Sequence, residues 1–336
     1  MSQSLSIAIV GATGSIGEAL VGLLEERDFP VGDLHLLASV ESAGQSLSFR
    51  GRQVRVRSLD DFDFGRVQLA FFAAGAEVTR AHVATATAAG CSVIDLSSGL
   101  ALEQAPCLLP EDGERVLAGQ KAPFLLSSPT PSAVAVALVL HALRPLLVPR
   151  QVGVTAMLAV SALGRSGVQE LARQTAELLN GRPLEPQAMD RQVAFNVLAQ
   201  AGAVNEEGHS HLEQRLAQEL KMLANDPQLE VAATCAVVPV FFGDSLAVSL
   251  HAQALVDVAA VARYLDQADG IELVEAGDYP TAVGDAVGQD CIYVGRLRSG
   301  VADPTQLNLW IASDNVRKGA ALNAVQIAEL LIKHYL

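Results

Sequence analysis

Glycines at positions 11, 14 and 17 stand three residues apart in LSIAIVGATGSIG (residues 5–17), between a short apolar run and a segment whose apolar residues recur at helical spacing. That order suits a phosphate-cradling turn. Gly11 permits the tight reversal, Gly14 lets the backbone approach a pyrophosphate, and Gly17 lets helix and strand pack closely. With the helix expected from about Ser15 through Leu24, the backbone of Thr13, Gly14, Ser15 and Ile16 forms the expected anion seat. The same glycines would equally serve a corner that merely packs a helix on a sheet.

A second strand, DLHLLAS (33–39), leads into VESAGQSL. In a dinucleotide fold the end of this strand meets the adenosine ribose, where a carboxylate accepts from the 2′-hydroxyl and an arginine accommodates a 2′-phosphate. Ser39, Glu41 and Ser42 stand at that point, and Glu41 favours NAD over NADP; a solvated loop glutamate is the alternative. VQLAFFAAG (67–75) and CSVIDLSSG (91–99) read as buried strands that end in small residues. Ala73, Ala74, Gly75, Ser97 and Ser98 are thus expected beside a flat nicotinamide. The expected cofactor is NAD or NADP, with an unbound cleft as the alternative.

SSPTPSAVAV (127–136) makes a strand-to-helix corner of the kind that carries a nucleophile in two-domain α/β enzymes, yet its centre is Pro131. Proline has no nucleophilic side chain and no N–H, but its φ suits the first turn of a helix. Ser132 is expected to cap that helix rather than to attack a substrate, because no base is identifiable for it. Cys235 lies inside an apolar strand and reads as an inert thiol. His209 and His211 fall in a polar loop without a third ligand, and the cysteines at 91, 107, 235 and 291 show no CxxC spacing, so no metal site is expected.

The elements that position these residues alternate strand and helix up to the Pro131 corner, which implies a doubly wound parallel sheet with ligands at the carboxyl ends of its strands. Beyond it, VGVTAMLAVSALG (152–164), LEVAATCAVVPVFFGDSLAVSLHAQAL (229–255, with a corner near Gly243), QDCIYVGRLRSG and LNLWIASD supply strands, and SGVQELARQTAELLNG (166–181) an amphipathic helix. The fold class is therefore α/β: an N-terminal Rossmann-like doubly wound parallel sheet, plus a C-terminal α+β domain with a largely antiparallel sheet whose broad strands suit a homodimer interface. The expected divisions are 1–131, 132–313 and a C-terminal helix, 314–336, returning to the first domain. A chain of 336 residues, 50% hydrophobic and 18% charged, can fill two ordinary cores. Its net charge of -14 would repel nucleic acid and anionic membrane. Residues 132–149 are apolar, but His141, Arg144 and two prolines mark a buried helix rather than a membrane span, and the N-terminus lacks a signal-peptide pattern. The expected compartment is the cytoplasm, with reduced cysteines.

GATGSIG, LASVESAG, FFAAG, IDLSS, AFNVLAQ, TCAVVPVFFGDS, VGQDCIYVGRLR and SDNVRKGAALNAVQIAE fall in order along essentially the whole chain. In these segments the chain resembles the aspartate-semialdehyde dehydrogenase family, and within it the Usg-1 branch. The resemblance implies NADPH-dependent reduction of an acyl phosphate to an aldehyde through a cysteine thioester. It also implies a histidine acid/base, and two arginines and a glutamine that hold the substrate. It places Pro131 at the thiol position and Asp244 at the histidine position, and it puts Asn315 among the dinucleotide residues. The expected arginines fall at Val237 and at Ala101 or Leu102, and the glutamine at Leu158. Asp244, with an ordinary pKa of about 4, is expected to be ionised and weakly basic. Glu213 and Arg215 lie near the family's substrate-binding glutamate and lysine, with a solvated helix face as the alternative. Three functions follow as expectations: a non-catalytic dinucleotide-binding or partner protein, first, whose protein partner the sequence does not identify; an oxidoreductase with altered, non-thioester chemistry; or an active family dehydrogenase.

Overall fold

The computed structural model describes residues 4–334, in two compact units: residues 4–130 with 320–334, and Pro131–Gly319. In the first unit, β1 (Leu5–Val10) runs into α1 (Ser15–Glu26), followed by β2 (Val31–Ala38), the hairpin β3 (Ser46–Phe49) and β4 (Arg52–Ser58), then β5 (Leu69–Phe72), α2 (Ala76–Ala88), β6 (Ser92–Asp95), α3 (Gly113–Leu117) and β7 (Leu125–Ser127). The sheet order is β3-β4-β2-β1-β5-β6-β7, with all neighbours parallel except β3 and β4. β1, β5 and β6 are almost wholly buried, as strands covered on both faces must be, which is why their sequences are continuous apolar runs. The C-terminal helix, Asn323–His334, adds Val325, Ile327, Ala328 and Leu331 to the core built on Ile7, Leu20, Leu24 and Phe71. Arg27 clamps it from outside, donating from Nε and Nη2 to the Glu329 carboxylate at 2.7 and 2.8 Å.

The second unit opens with α4 (Pro131–Leu143), buried along nearly its whole length, as its all-round apolar sequence requires. Then come β8 (Pro149–Leu158), α5 (Gly164–Leu179), α6 (His211–Ala224), β9 (Glu230–Val237), β10 (Asp244–Ala252), α7 (Val258–Asp266), β11 (Ile271–Leu273), β12 (Ile292–Ser299) and β13 (Gln306–Ser313). Their order is β11-β12-β13-β10-β8-β9; β8 with β9 and β11 with β12 are parallel, and the remaining pairs antiparallel. β10 alternates strictly: Leu246, Val248 and Leu250 are buried, while Ser245, Ala247 and Ser249 are half-exposed. α4 and α6 pack on the buried face. On the opposite face Thr155, Thr234, Ala247, Ser249, Asn308 and Trp310 border an open hollow of about 730 Å³.

Two segments differ from the sequence reading. The β3–β4 hairpin was not expected, because QSLSFRGRQVRVRS carries its turn on Arg50 and Gly51, both at positive φ, amid polar residues. No helix of the described residues is long and apolar enough to cross a membrane. The final α-helix begins only at Asn323, since the Gly319 N–H closes a wide turn onto the Asp314 carbonyl at 2.8 Å, five residues back; Tyr335 and Leu336 lie outside the described residues.

Gly11 and Gly17 are dictated by backbone proximity. Gly11 has φ +85 and a Cβ there would fall 2.8 Å from the Ala73 carbonyl carbon; a Cβ on Gly17 would fall 2.2 Å from Gly11 O and 2.7 Å from Ala12 Cα. Gly17→Ala therefore should cost about 1–3 kcal/mol of unfolding free energy by denaturant titration. Gly75→Ala, where φ is -65 and no atom lies within 4 Å of a new Cβ, should cost well under about 1 kcal/mol. Equal losses would refute this packing account.

Candidate functional site

Four neighbouring strands of the first unit, β2, β1, β5 and β6, end side by side and bring that unit's expected dinucleotide residues to one rim. Thr13 to Ile16 turn from β1 into α1. Ser39, Glu41 and Ser42 form a short turn after β2, Ala74 and Gly75 follow β5, and Ser97 follows β6. Gly14 is the N-cap of α1 and brings no side-chain acceptor, so the first-turn N–H groups, among them those of Ser15 and Ile16, are directed out of the helix end. A Cβ on Gly14 would meet just the Gly11 carbonyl, at 3.3 Å, leaving its outer side open. This is a cradle that fits a pyrophosphate.

The flanking residues are fixed by short polar contacts. Glu41 is exposed; the Ser39 hydroxyl, and then its own backbone N–H, hold its carboxyl below the usual carboxylate range, so it presents a full negative charge. Asp95 is fully buried, and its Oδ1 accepts from the Ser97 N–H at 2.9 Å, the Ser97 hydroxyl at 2.6 Å and the Thr79 hydroxyl at 3.3 Å. Ser97 Oγ in turn accepts from the Gly99 N–H at 3.0 Å. Sequence reasoning placed Ser97 at the rim but missed Asp95 and Thr79 as the groups that hold it there. The signal available was an aspartate as the last residue of an otherwise apolar strand.

Pro131 is the first residue of α4, and its ring lies against Gly319, where a Cβ would come within 2.5 Å of Pro131 Cβ. Ser132 is buried one residue inside that helix, so it is not the cap expected of it. Val237 ends β9 and Leu158 ends β8, both buried in apolar surroundings; Leu102 is buried and Ala101 exposed in the first unit. Burial pushes the Cys235 thiol up to about 12, with Glu213 and Asp244 adding to it, which keeps it an unreactive thiol.

Two further sequence expectations need correction. Asp244 is not an ordinary ionised carboxylate. Burial pushes it up to about 7, against the pull of the Ala159 N–H and with the help of the Asp314 charge. Nor do Glu213 and Arg215 lie on a solvated helix face. Ser210 and Glu213 form a reciprocal capping box at the start of α6, and the other oxygen of Glu213 accepts from the Cys235 N–H at 3.0 Å. Burial alone would raise Glu213, but the N–H groups of Cys235 and Ser210 outweigh it and hold it below the usual carboxylate range. Arg215 is buried and donates to Glu219 at 2.7 Å. His209 and His211 are exposed, and no group of three metal-ligating side chains occurs among the described residues.

Asn315, expected among the dinucleotide residues, lies in the second unit at 4% exposure. Its Oδ1 accepts from the Gly243 N–H at 3.0 Å and its Nδ2 donates to Ser161 Oγ at 3.0 Å. Asp314 beside it accepts from Val316 and Arg317 N–H at 2.9 and 2.7 Å and from Gly288 N–H at 2.8 Å. A further network was not legible in sequence. Gln174, fully buried on α5, accepts from the N–H groups of Val193 and Ala194, at 2.8 and 3.1 Å, and donates to Glu170 at 2.7 Å. Burial would raise Glu170, but Arg173, the Gln187 N–H and Gln174 together hold it at about 2.

Comparison with known proteins finds matches along the whole chain. Residues 6–137 match the model of the semialdehyde dehydrogenase NAD binding domain and residues 140–318 that of the semialdehyde dehydrogenase dimerisation domain. The chain is similar to a USG-1 protein homolog of Pseudomonas aeruginosa, with 61% identity over all of both chains. Among solved structures it is similar to a probable aspartate-semialdehyde dehydrogenase from Pseudomonas aeruginosa (TM-score 0.96, 61% identity, 99% of this chain and 100% of that one). It is also similar to aspartate semialdehyde dehydrogenase II from Vibrio cholerae, solved in complex with ASA (TM-score 0.96, 39% identity, 100% of both chains).

Proposed function

Because the chain belongs to the semialdehyde dehydrogenase family, we propose that it keeps the family's dinucleotide loop and paired-subunit architecture without the thioester chemistry, acting as a non-catalytic dinucleotide-binding or partner protein. The observation that carries this reading is Pro131. At the strand-to-helix corner where covalent catalysis needs an activated thiolate, the chain has a ring that packs on Gly319 and can form no acyl bond. The replacements at Val237 and Leu158 point the same way. Buried valine and leucine cannot hold a carboxylate or an acyl oxygen, and members of one catalytic unit are not replaced singly without loss of the whole effect.

The turn from Gly11 to Ile16 would hold the pyrophosphate through its N–H groups, with Ala74, Gly75 and Ser97 along the rim and Glu41 as acceptor for a ribose hydroxyl. Bound there, a nicotinamide dinucleotide would supply a hydride donor or acceptor. Glu41 favours NAD, since its charge opposes a 2′-phosphate. One observation favours a second reading, an oxidoreductase with non-thioester chemistry: Asp244, with its carboxyl pushed up to about 7, sits near the value that suits proton transfer at neutral pH. For the quaternary state we favour a homodimer through the open sheet face around Ala247 and Trp310. Its small and polar side chains allow close approach of a second sheet. The four cysteines form no disulfide among the described residues, which suits a reducing compartment such as the cytoplasm.

Phosphate- or arsenate-dependent oxidation of aspartate semialdehyde should run at least about 10³-fold slower than with an active family member, and turnover within tenfold of one would refute the non-catalytic reading. Calorimetry should show NADH binding tighter than NADPH, with Glu41→Arg reversing the order; preference for NADPH in the unaltered chain would overturn the role given to Glu41. Ala247→Arg should convert a dimer to a monomer in sedimentation, and an unchanged sedimentation coefficient would remove the sheet face as the interface.

A further inference from the structure

Asp244 opens β10 with 2% exposure, and its Oδ1 accepts a single hydrogen bond, from the Ala159 N–H at 2.9 Å. Its register partner across the antiparallel β10–β13 pair is Ser313. Side chains so paired share one face with Cβ atoms about 5 Å apart. Ser313 Oγ is buried there without a hydrogen-bond partner. The charge that faces Asp244 is another carboxylate, Asp314, and the Cys235 thiol on β9 faces both Asp244 and Glu213. An ionised Asp244 thus has one N–H donor and an anionic neighbour, whereas its acid form carries an O–H with the unpartnered Ser313 oxygen on the same face.

The residues around Asp244 give its charge a route outward. Gly243, directly before it, is tied by its N–H to Asn315 Oδ1 and has φ +88, with its Cα so close to the 282–287 segment that a Cβ would fall 2.9 Å from Val287 Cγ2. Asn315 also holds Ser161, and Asp314 holds the N–H groups of Gly288, Val316 and Arg317. Repulsion between Asp244 and Asp314 acts directly on this corner.

We propose that Asp244 is a proton-binding switch built into the second unit: its acid form is compatible with the closed Asp314–Asn315 corner, and its ionisation weakens that corner. The direction follows from linkage. A carboxyl whose folded value is raised from 3.8 to about 7 lends its full stability below the lower value and loses it as pH climbs to the upper one. Above that the loss levels off. The switch stands whether or not a dinucleotide binds to the first unit.

The test uses the full chain and Asp244→Asn, which keeps the Oδ1 acceptor for Ala159 and cannot ionise. Between about pH 5 and pH 7 the unfolding constant of the unaltered protein should rise relative to the variant by up to about tenfold per pH unit, then run parallel to it. Amide hydrogen exchange at Gly288, Val316 and Arg317, corrected for intrinsic rate, should gain the same pH dependence in the unaltered chain and lack it in the variant. Superimposable profiles for the two proteins would overturn the proposal. Should the variant fail to fold, infrared spectra of the unaltered chain decide. The band of a buried protonated carboxyl should stand at about pH 5.5 and fade by about pH 8, and its absence at the lower pH would sink the switch.

Discussion

Two adjacent side chains, Asp314 and Asn315, hold together segments of the second unit that are far apart in sequence. Between them they satisfy the N–H groups of Gly243, Gly288, Val316 and Arg317 and the hydroxyl of Ser161. Gly243 is buried, and its N–H left open there would cost about 1–3 kcal/mol, so this part of the corner is fixed by necessity and not by preference. Its position after β13 matters because β13 pairs with β10, the strand that Asp244 opens. The burial of Asp244, the turn at Gly243 and the late start of the C-terminal helix all follow from where these two residues put the chain.

The scaffold of this protein rests on a small set of backbone requirements. The glycine turn, the small residues at the strand ends and the Asp314–Asn315 corner meet backbone requirements: close approach, positive φ, satisfied N–H groups. Val237 and Leu158 are instead buried apolar side chains. Apolar residues at such buried positions add to the core. Asp244 is the exception: polar and buried, it carries a desolvation cost which only its proton relieves.

What was legible in the sequence was periodic or geometric. The apolar runs of β1, β5 and β6, the alternation of β10 and the glycines at 11 and 17 each state a local rule, and the structure obeys it. What was not legible depended on neighbours distant in the chain. An Asp after Gly243 reads as an ordinary ionised, weakly basic group until Asp314, 70 positions on, is set beside it and both are buried. Arg215 reads as solvated until Glu219 and the packing of α6 on β9 bury it. The β3–β4 hairpin escaped notice because its turn rests on an arginine at positive φ, a conformation that composition does not advertise.

Gly319 lies directly on the Cα and Cβ of residue 131, and every amino acid except glycine brings a Cβ to that place. The steric demand of the contact therefore falls on position 319, and position 131 is left neutral to mutational drift as far as the fold is concerned. A side chain mounted on such a pedestal is chosen by what lies beyond its Cβ, not by the contact beneath it.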